Sequence, residues 1–199
     1  MIPSSLLQPR FVKLFKETFG FSEEEFEFFV SHFHEKHLCK KAFYIQPGTV
    51  ADFKAYINQG CMRTYRVDPS GHERVILLSF EDWWAGDIDS YYSGQVSSVY
   101  VQALEDCALL EISKTDFQML ESKIPKLKQW YTLKLARRAA QSMKNMGEVK
   151  TLSLQEKYLN MLETNPEIFQ RVPLQYIASY LNVEPQSLSR MRKRLTKEI

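Results

Sequence analysis

The run VPLQYIASYLNVEPQSLSRMRKRL at residues 172–195 is the most restrictive stretch of the chain, because its spacing fits a helix, a tight turn and a second helix and little else. Pro173 suits the first turn of a helix, and Leu174, Ile177, Ala178 and Leu181 give that helix one apolar face. Asn182 tolerates a tight turn, and Val183 plugs its corner. Pro185 restarts a helix whose Leu188, Met191 and Leu195 recur at three- and four-residue steps and face inward. Small Ala178 stands where the two helices cross most closely. Gln186, Ser187, Ser189, Arg190, Lys193 and Arg194 then fall on outward or flanking faces, with Pro185 at the start of the same helix. Side chains of these types in that placement offer hydrogen bonds to base edges and charge to phosphates.

Net charge is only +2 over 199 residues, so its distribution has to carry any argument about anionic partners. Residues 81–121 hold nine acids against one base, Lys114. Residues 123–147 hold seven bases and no acid, and from Pro185 onward there are five bases and one acid. Anion binding therefore belongs to the C-terminal half. No apolar run approaches the roughly 18 to 20 residues of a membrane helix, and the N-terminus lacks the features of a signal peptide, so a cytoplasmic protein without membrane contact is expected. Cys39, Cys61 and Cys107 are scattered and show no C-x-x-C spacing, which argues against a disulfide framework, a zinc site or an iron–sulfur cluster.

The first 36 residues read as helical: Ser22 and Glu25 form a capping box, and Phe26, Phe29, Val30 and Phe33 follow at helical spacing. Residues 37–112 change to short runs rich in Val, Ile, Tyr and Phe, broken at Pro47-Gly48, Asn58-Gln59-Gly60 and Asp68-Pro69-Ser70-Gly71, as in a β-sandwich or barrel. Phe53, Ala55 and Ile57, and Val75 with Leu77, alternate as half-buried strands do. Ser113 with Asp116 caps a helix that Pro125 interrupts before a longer run continues to about Met146. Within that run Trp130, Leu133, Ala136, Ala140, Met143 and Gly147 trace a narrow stripe suited to a two-fold helix pair. Ser153 with Glu156 caps one more helix, ended by Asn165-Pro166, and a short strand fits residues 167–172.

The I-A-S-Y-L-N-V-x-x-x-S-L-S-R run resembles the helix-turn-helix of the Crp/Fnr superfamily of bacterial transcription regulators, and the likeness extends over the whole chain. Phe43-Tyr44, Pro47-Gly48 and residues 84–101 are similar to a cyclic-nucleotide-binding β-roll, and residues 123–147 stand where the family keeps its dimerisation helix. The resemblance implies an α+β chain with a jelly-roll-like N-terminal sensor domain (residues 1–122), a dimerisation helix (123–147) and a C-terminal winged-helix or helix-turn-helix domain (148–199). It implies a homodimer on palindromic double-stranded DNA, RNA polymerase as a candidate contact, and no enzymatic activity. Family members that bind cyclic nucleotides carry Gly-Glu followed, ten residues after the Glu, by Arg and a small hydroxyl residue. Here Gly86-Asp87 occupies the first pair, while Ser97 and Ser98 occupy the second. The phosphate-pairing cation is missing from an acidic neighbourhood, so cyclic-nucleotide binding is not expected and no cofactor is implied.

Trp84, Gly86, Asp87, Ser97 and Ser98 mark the former nucleotide pocket, and the aromatics Trp83, Trp84, Tyr91, Tyr92 and Tyr100 around it either line a small apolar cavity or fill it. His32, His34 and His37 lie on or just after the first helical segment, which argues against a cupin-type metal pair on a strand. No nucleophile–base pair or phosphate-cradling glycine loop is present in the sequence. Two other readings stay open: a small-molecule sensor acting through protein contacts, and a β-barrel enzyme.

Overall fold

The computed structural model describes residues 7–195, without the side chains of Arg138 and of residues 141–151. A short helix α1 (Pro9–Lys13) runs into a wider π turn at Leu14–Thr18, and α2 (Glu23–Val30) follows. The capping box forms: the Ser22 N–H donates to Glu25 Oε2 at 2.8 Å, and the Glu25 N–H donates to Ser22 Oγ at 3.1 Å.

The helix then stops short of residue 36. Residues His34–Leu38 are strand β1, paired antiparallel with Cys107–Ser113. His34 and His37 are therefore on a strand. The HEKHL run has no strong period of its own, and a ladder along an apolar strand outweighs a weak local helix preference. The ring of His32 is engaged at home, with Nδ1 2.8 Å from the Phe28 carbonyl. Among the described residues no group of three or more His, Cys, Asp or Glu side chains is placed to hold a metal.

Two four-stranded antiparallel sheets follow. One has the order β1-β8-β3-β6, with β3 at Phe53–Gln59, β6 at Trp84–Ala85 and β8 at Cys107–Ser113; the other has the order β2-β7-β4-β5, with β2 at Phe43–Ile45, β4 at Met62–Val67, β5 at Glu73–Ser79 and β7 at Tyr100–Ala103. Helix α3 (Ile88–Ser93) lies between β6 and β7. Between the sheets Ile45, Ala55, Ile57, Met62, Val101 and Leu109 form one core. The turn from β3 to β4 requires glycine, because Gly60 has φ 108° and an added Cβ would stand 2.6 Å from Cys107 Sγ.

The expected alternation in β3 holds on one face only. Ala55 and Ile57 point into the roll, but Lys54 and Tyr56 are buried as well, while Phe53 is exposed. The cause is a second layer. Helix α4 (Lys114–Lys123) and α5 (Pro125–Thr151) lie over the outer face of the first sheet with α1 and α2, and there Phe11, Phe15, Phe29, Tyr56, Trp84, Phe117, Leu127 and Tyr131 make a mostly aromatic core. Ring pairs within it include Phe11 with Tyr56 at 4.7 Å and Phe117 with Tyr131 at 5.0 Å between centroids.

Helix α5, with 27 residues, is roughly 40 Å long at the α-helical rise. Beyond it come α6 (Leu154–Thr164), α7 (Ile168–Arg171), α8 (Leu174–Tyr180) and α9 (Pro185–Leu195). The short strand expected at residues 167–172 is instead the helical turn α7, closed by the Val172 N–H on the Ile168 carbonyl at 2.8 Å. No strand follows β8 among the described residues, so a strand there would have lacked a neighbour. A third core joins Tyr158, Ile168, Val172, Ile177, Leu181, Leu188 and Met191 to Tyr65, Val75 and Leu78 of the roll.

Candidate functional site

Helix α9 is held by its apolar face and presents the other. Leu188 and Met191 are buried, whereas Gln186, Arg190, Lys193 and Arg194 are exposed, and Pro185, Ser187 and Ser189 are half-buried along the edge. Its angle to α8 is set by the turn at residues 181–184. Asn182 takes the left-handed conformation there (φ 57°), and the Val183 N–H reaches the Ala178 carbonyl at 2.9 Å. Ala178 is fully buried between the two helices. Among the described residues Arg190 makes no ion pair, with Glu184 or any other acid, so its guanidinium is available to an outside acceptor. Arg192 turns back and lies 4.9 Å from the ring of Phe169.

On α5 the two faces part company. Leu127 and Tyr131 are buried against the roll, and Trp130 packs within the chain, 4.7 Å from Phe19 and 5.1 Å from Phe15 between ring centroids. Leu133 is 50% exposed, and Ala136 and Ala140 are exposed beyond it. Met143 and Gly147 lie outside the described side chains.

The residues that the resemblance places at a nucleotide pocket are split between two layers. Gly86 leads into α3, and the carboxylate of Asp87 caps that helix, accepting from the N–H groups of Asp89 at 3.1 Å and Ser90 at 3.3 Å. Ser97 is buried, with Oγ bonded to the Val99 backbone at 3.1 and 3.2 Å, and Ser98 is exposed. Trp84 instead belongs to the aromatic layer under α4 and α5, with Phe117 at 5.8 Å and Tyr131 at 6.0 Å. Since Ala85 points into the roll, adjacent residues of β6 serve opposite sides of one sheet.

A cavity of about 550 Å³ lies where these layers meet, lined among others by Lys54, Trp83, Trp84, Ala85, Tyr91, Tyr92, Tyr131 and Tyr180. Of the five aromatics singled out around the former pocket, Trp83, Trp84, Tyr91 and Tyr92 line it, while Tyr100 stacks on Tyr65 in the other sheet. Lys54 was not read as a site residue from the sequence. The signal was there, a charge inside the run Phe53-Lys54-Ala55-Tyr56-Ile57, but its meaning depends on the helices that cover the strand.

Arg171 is a second residue that sequence reasoning missed. It donates from Nη1 and Nη2 to the two carboxylate oxygens of Glu81 at 2.9 and 2.7 Å, and from Nε to Glu105 at 3.1 Å, with a further contact from Nη2 to Glu105. The hydroxyl of Ser179 accepts from the Val75 N–H and donates to the Glu73 carbonyl, both at 3.0 Å. Arg63, itself buried, is sandwiched 4.0 Å from Tyr65 and 3.8 Å from Tyr176. The helix-turn-helix is thus docked on the edge of the roll through charge, hydrogen bonds and ring stacking together. Cys61 and Cys107 take no part in chemistry of this kind, since burial pushes both thiols up, Cys107 to about 11.

Comparison with known proteins agrees with this architecture. Residues 35–123 match the cyclic nucleotide-binding domain family. The cAMP-activated global transcriptional regulator CRP of Escherichia coli is 24% identical over 179 residues, covering 85% of each chain, and that of Pasteurella multocida is 23% identical over 85% of this chain and 86% of its own. Among solved structures, the c-di-GMP responsive global regulator CLP of Xanthomonas campestris has a TM-score of 0.70 at 19% identity, over 89% of this chain and 93% of that one. FixK2 of Bradyrhizobium japonicum has a TM-score of 0.71 at 14% identity, over 83% and 85%. Over most of its length the chain is thus similar to transcription regulators of the CRP type, and its β-roll matches the cyclic nucleotide-binding domain family.

Proposed function

We propose that this chain is a homodimeric transcription regulator that reads a palindromic double-stranded DNA operator through α9, without bound cyclic nucleotide. The carrying observation is the exposed row of Gln186, Arg190, Lys193 and Arg194 above the buried Leu188 and Met191. Gln186 and Arg190 are one turn apart near the start of the helix, the part of a recognition helix that enters the major groove. Arg is matched to the O6 and N7 of guanine and Gln to the N6 and N7 of adenine, while Lys193 and Arg194 meet phosphates. Arg190→Ala should cost about 1–3 kcal/mol on the preferred operator and almost nothing on scrambled DNA. Lys193→Ala should weaken both duplexes alike and flatten the salt dependence. Titration of an operator selected from a random pool, beside a scrambled duplex, decides the matter: equal losses on both for Arg190→Ala remove it from the base-reading set.

We read residues 1–122 as the sensor domain, 123–147 as the dimerisation helix and 148–199 as the DNA-binding domain. The exposed stripe of Leu133, Ala136 and Ala140 on α5 supports pairing with a second copy, since its opposite face is already committed to the roll. Ala140→Glu should give monomers in sedimentation at about 10 μM, where the parent is dimeric. A monomeric parent, or a variant still dimeric, overturns this assignment. The reading without cyclic nucleotide rests on Ser97, which is buried and bonded to Val99 where the phosphate would need a cation, and on Asp87, whose carboxylate is spent on capping α3. The relatives are transcription regulators, and no catalytic residues are assigned. No helix among the described residues is long and apolar enough to cross a membrane, which is compatible with a cytoplasmic regulator. Activation of genes would add a contact with RNA polymerase.

A further inference from the structure

The amino group of Lys54 is in an unusual position. The residue is only 4% exposed, and Nζ has no hydrogen-bond partner. It lies 3.0 Å from the ring centroid of Phe117, 3.6 Å from Tyr131, 5.1 Å from Tyr91 and 5.2 Å from Trp84. Ring faces attract a cation and the Glu121 carboxylate acts on the same group, yet no acceptor bonds the Lys54 amine. Two more buried groups beside it, Trp84 Nε1 and Tyr91 OH, also have no partner. All three can donate a hydrogen bond, and buried donors are ordinarily satisfied. Lys54, Trp84 and Tyr91 all line a cavity of about 550 Å³, of the size that holds small ligands, with the three polar atoms themselves covered at its wall.

We propose that this cavity, between the outer face of β3 and helix α5, binds a small organic acid whose carboxylate sits on Lys54 Nζ with Trp84 Nε1 and Tyr91 OH, and whose flat apolar body lies among Trp84, Tyr131 and Leu135. Protonated as the acid enters, Lys54 matches one negative charge. The ring-rich wall favours an aromatic or unsaturated body over a sugar or a nucleotide. Lys54 and Ala55 point to opposite sides of β3, and the cavity lies where the two layers meet, since Ala85 and Tyr91 of the core between the sheets line it beside Trp84 and Tyr131 of the outer layer. Tyr180 of α8 also lines the cavity, so an occupant touches the roll, the long helix and the helix-turn-helix together.

The test uses calorimetry of the full chain with benzoate, phenylacetate and indoleacetate, each beside its neutral amide. At least one acid should bind with a Kd below about 1 mM, with its amide tenfold weaker or worse. Lys54→Met should lose that binding by tenfold or more while keeping a cooperative thermal transition, and Trp84→Phe, which keeps a ring but removes the donor, should lose a few-fold. The proposal is overturned if no acid binds better than its amide, or if Lys54→Met binds the preferred acid undiminished. Should Lys54→Met not fold, unchanged affinity in Trp84→Phe overturns the donor arrangement on its own. No DNA is present in these titrations, so their failure leaves the reading of α9 untouched.

Discussion

Lys54→Met is expected to make the protein more stable, by on the order of 3 kcal/mol near pH 6, which for a chain of this length corresponds to roughly 6–12 °C in Tm. Burial pushes the Lys54 ammonium from 10.5 down to about 6, with the Glu121 carboxylate acting in the opposite direction. A gap of that size would correspond to about 6 kcal/mol, but four ring faces return about 2 kcal/mol to the charged form and the methionine retains most of the stem's packing. The direction with pH follows from the same numbers. Between pH 6 and 10.5 the unfolded chain holds a proton that the folded chain has lost, so the parent gains stability as pH rises and bears the full penalty at pH 6 and below. The advantage of Lys54→Met should therefore shrink to about 1 kcal/mol near pH 9.5. Melting curves of both proteins from pH 6 to 9.5 check this, and a variant that melts lower, or an advantage independent of pH, would contradict the buried, partnerless amine.

Arg171→Ala should act in the opposite direction, with a loss on the order of 2–3 kcal/mol. The guanidinium holds Glu81 and Glu105 together across the junction between the roll and the C-terminal helices. Without it two partly buried carboxylates face each other uncompensated, a cost reduced from the fully buried figure because water reaches one-fifth to one-third of each side chain. Burial pushes the Glu81 carboxyl up, but the Arg171 bonds and the Gly60 N–H at 2.8 Å together hold it below its usual range. Its contribution is accordingly present above the ordinary carboxylate pKa and is lost as pH falls through the lowered one, so acid below about pH 4.5 should weaken the parent more steeply than the variant. Loss of the clamp should also expose the segment around residues 151–153 to proteases. Arg171→Lys, which keeps the charge but not the fork, should fall between the two. An unchanged melting point and digestion pattern in Arg171→Ala would show that Arg63, Ser179 and the apolar contacts hold the junction without it.

Features that depend on three or four consecutive residues were legible in advance. The boxes at Ser22 and Ser153 both form, because cap and partner are joined by one turn of the same helix. The cap at Ser113 forms only in part: Asp116 is one methylene shorter than glutamate, and its carboxylate takes the Ser113 hydroxyl at 2.6 Å. The turn at Asn182 and the inward Leu188 and Met191 follow the spacing for the same local reason. His34–Leu38, by contrast, carries no pattern that distinguishes helix from strand, and only the ladder to β8, more than 60 residues away, decides it.

Of the candidate site, the row on α9 could be read from the chain because a helix displays every third and fourth residue on one face wherever it is placed. By itself the sequence determined the helix-turn-helix, the order of strands then helices, and the absence of an arginine at Ser97. The tertiary structure alone decided that β3 is covered on both faces, that Trp84 serves the outer layer, and that Lys54 ends among four rings with no acceptor. It also decided that Arg171 meets two acids from distant turns. The physical reason is common to all of these: the cost of burying a charge is set by what packs against it, and those neighbours arrive from α3, α4 and α5, far along the chain from the strand that carries the charge.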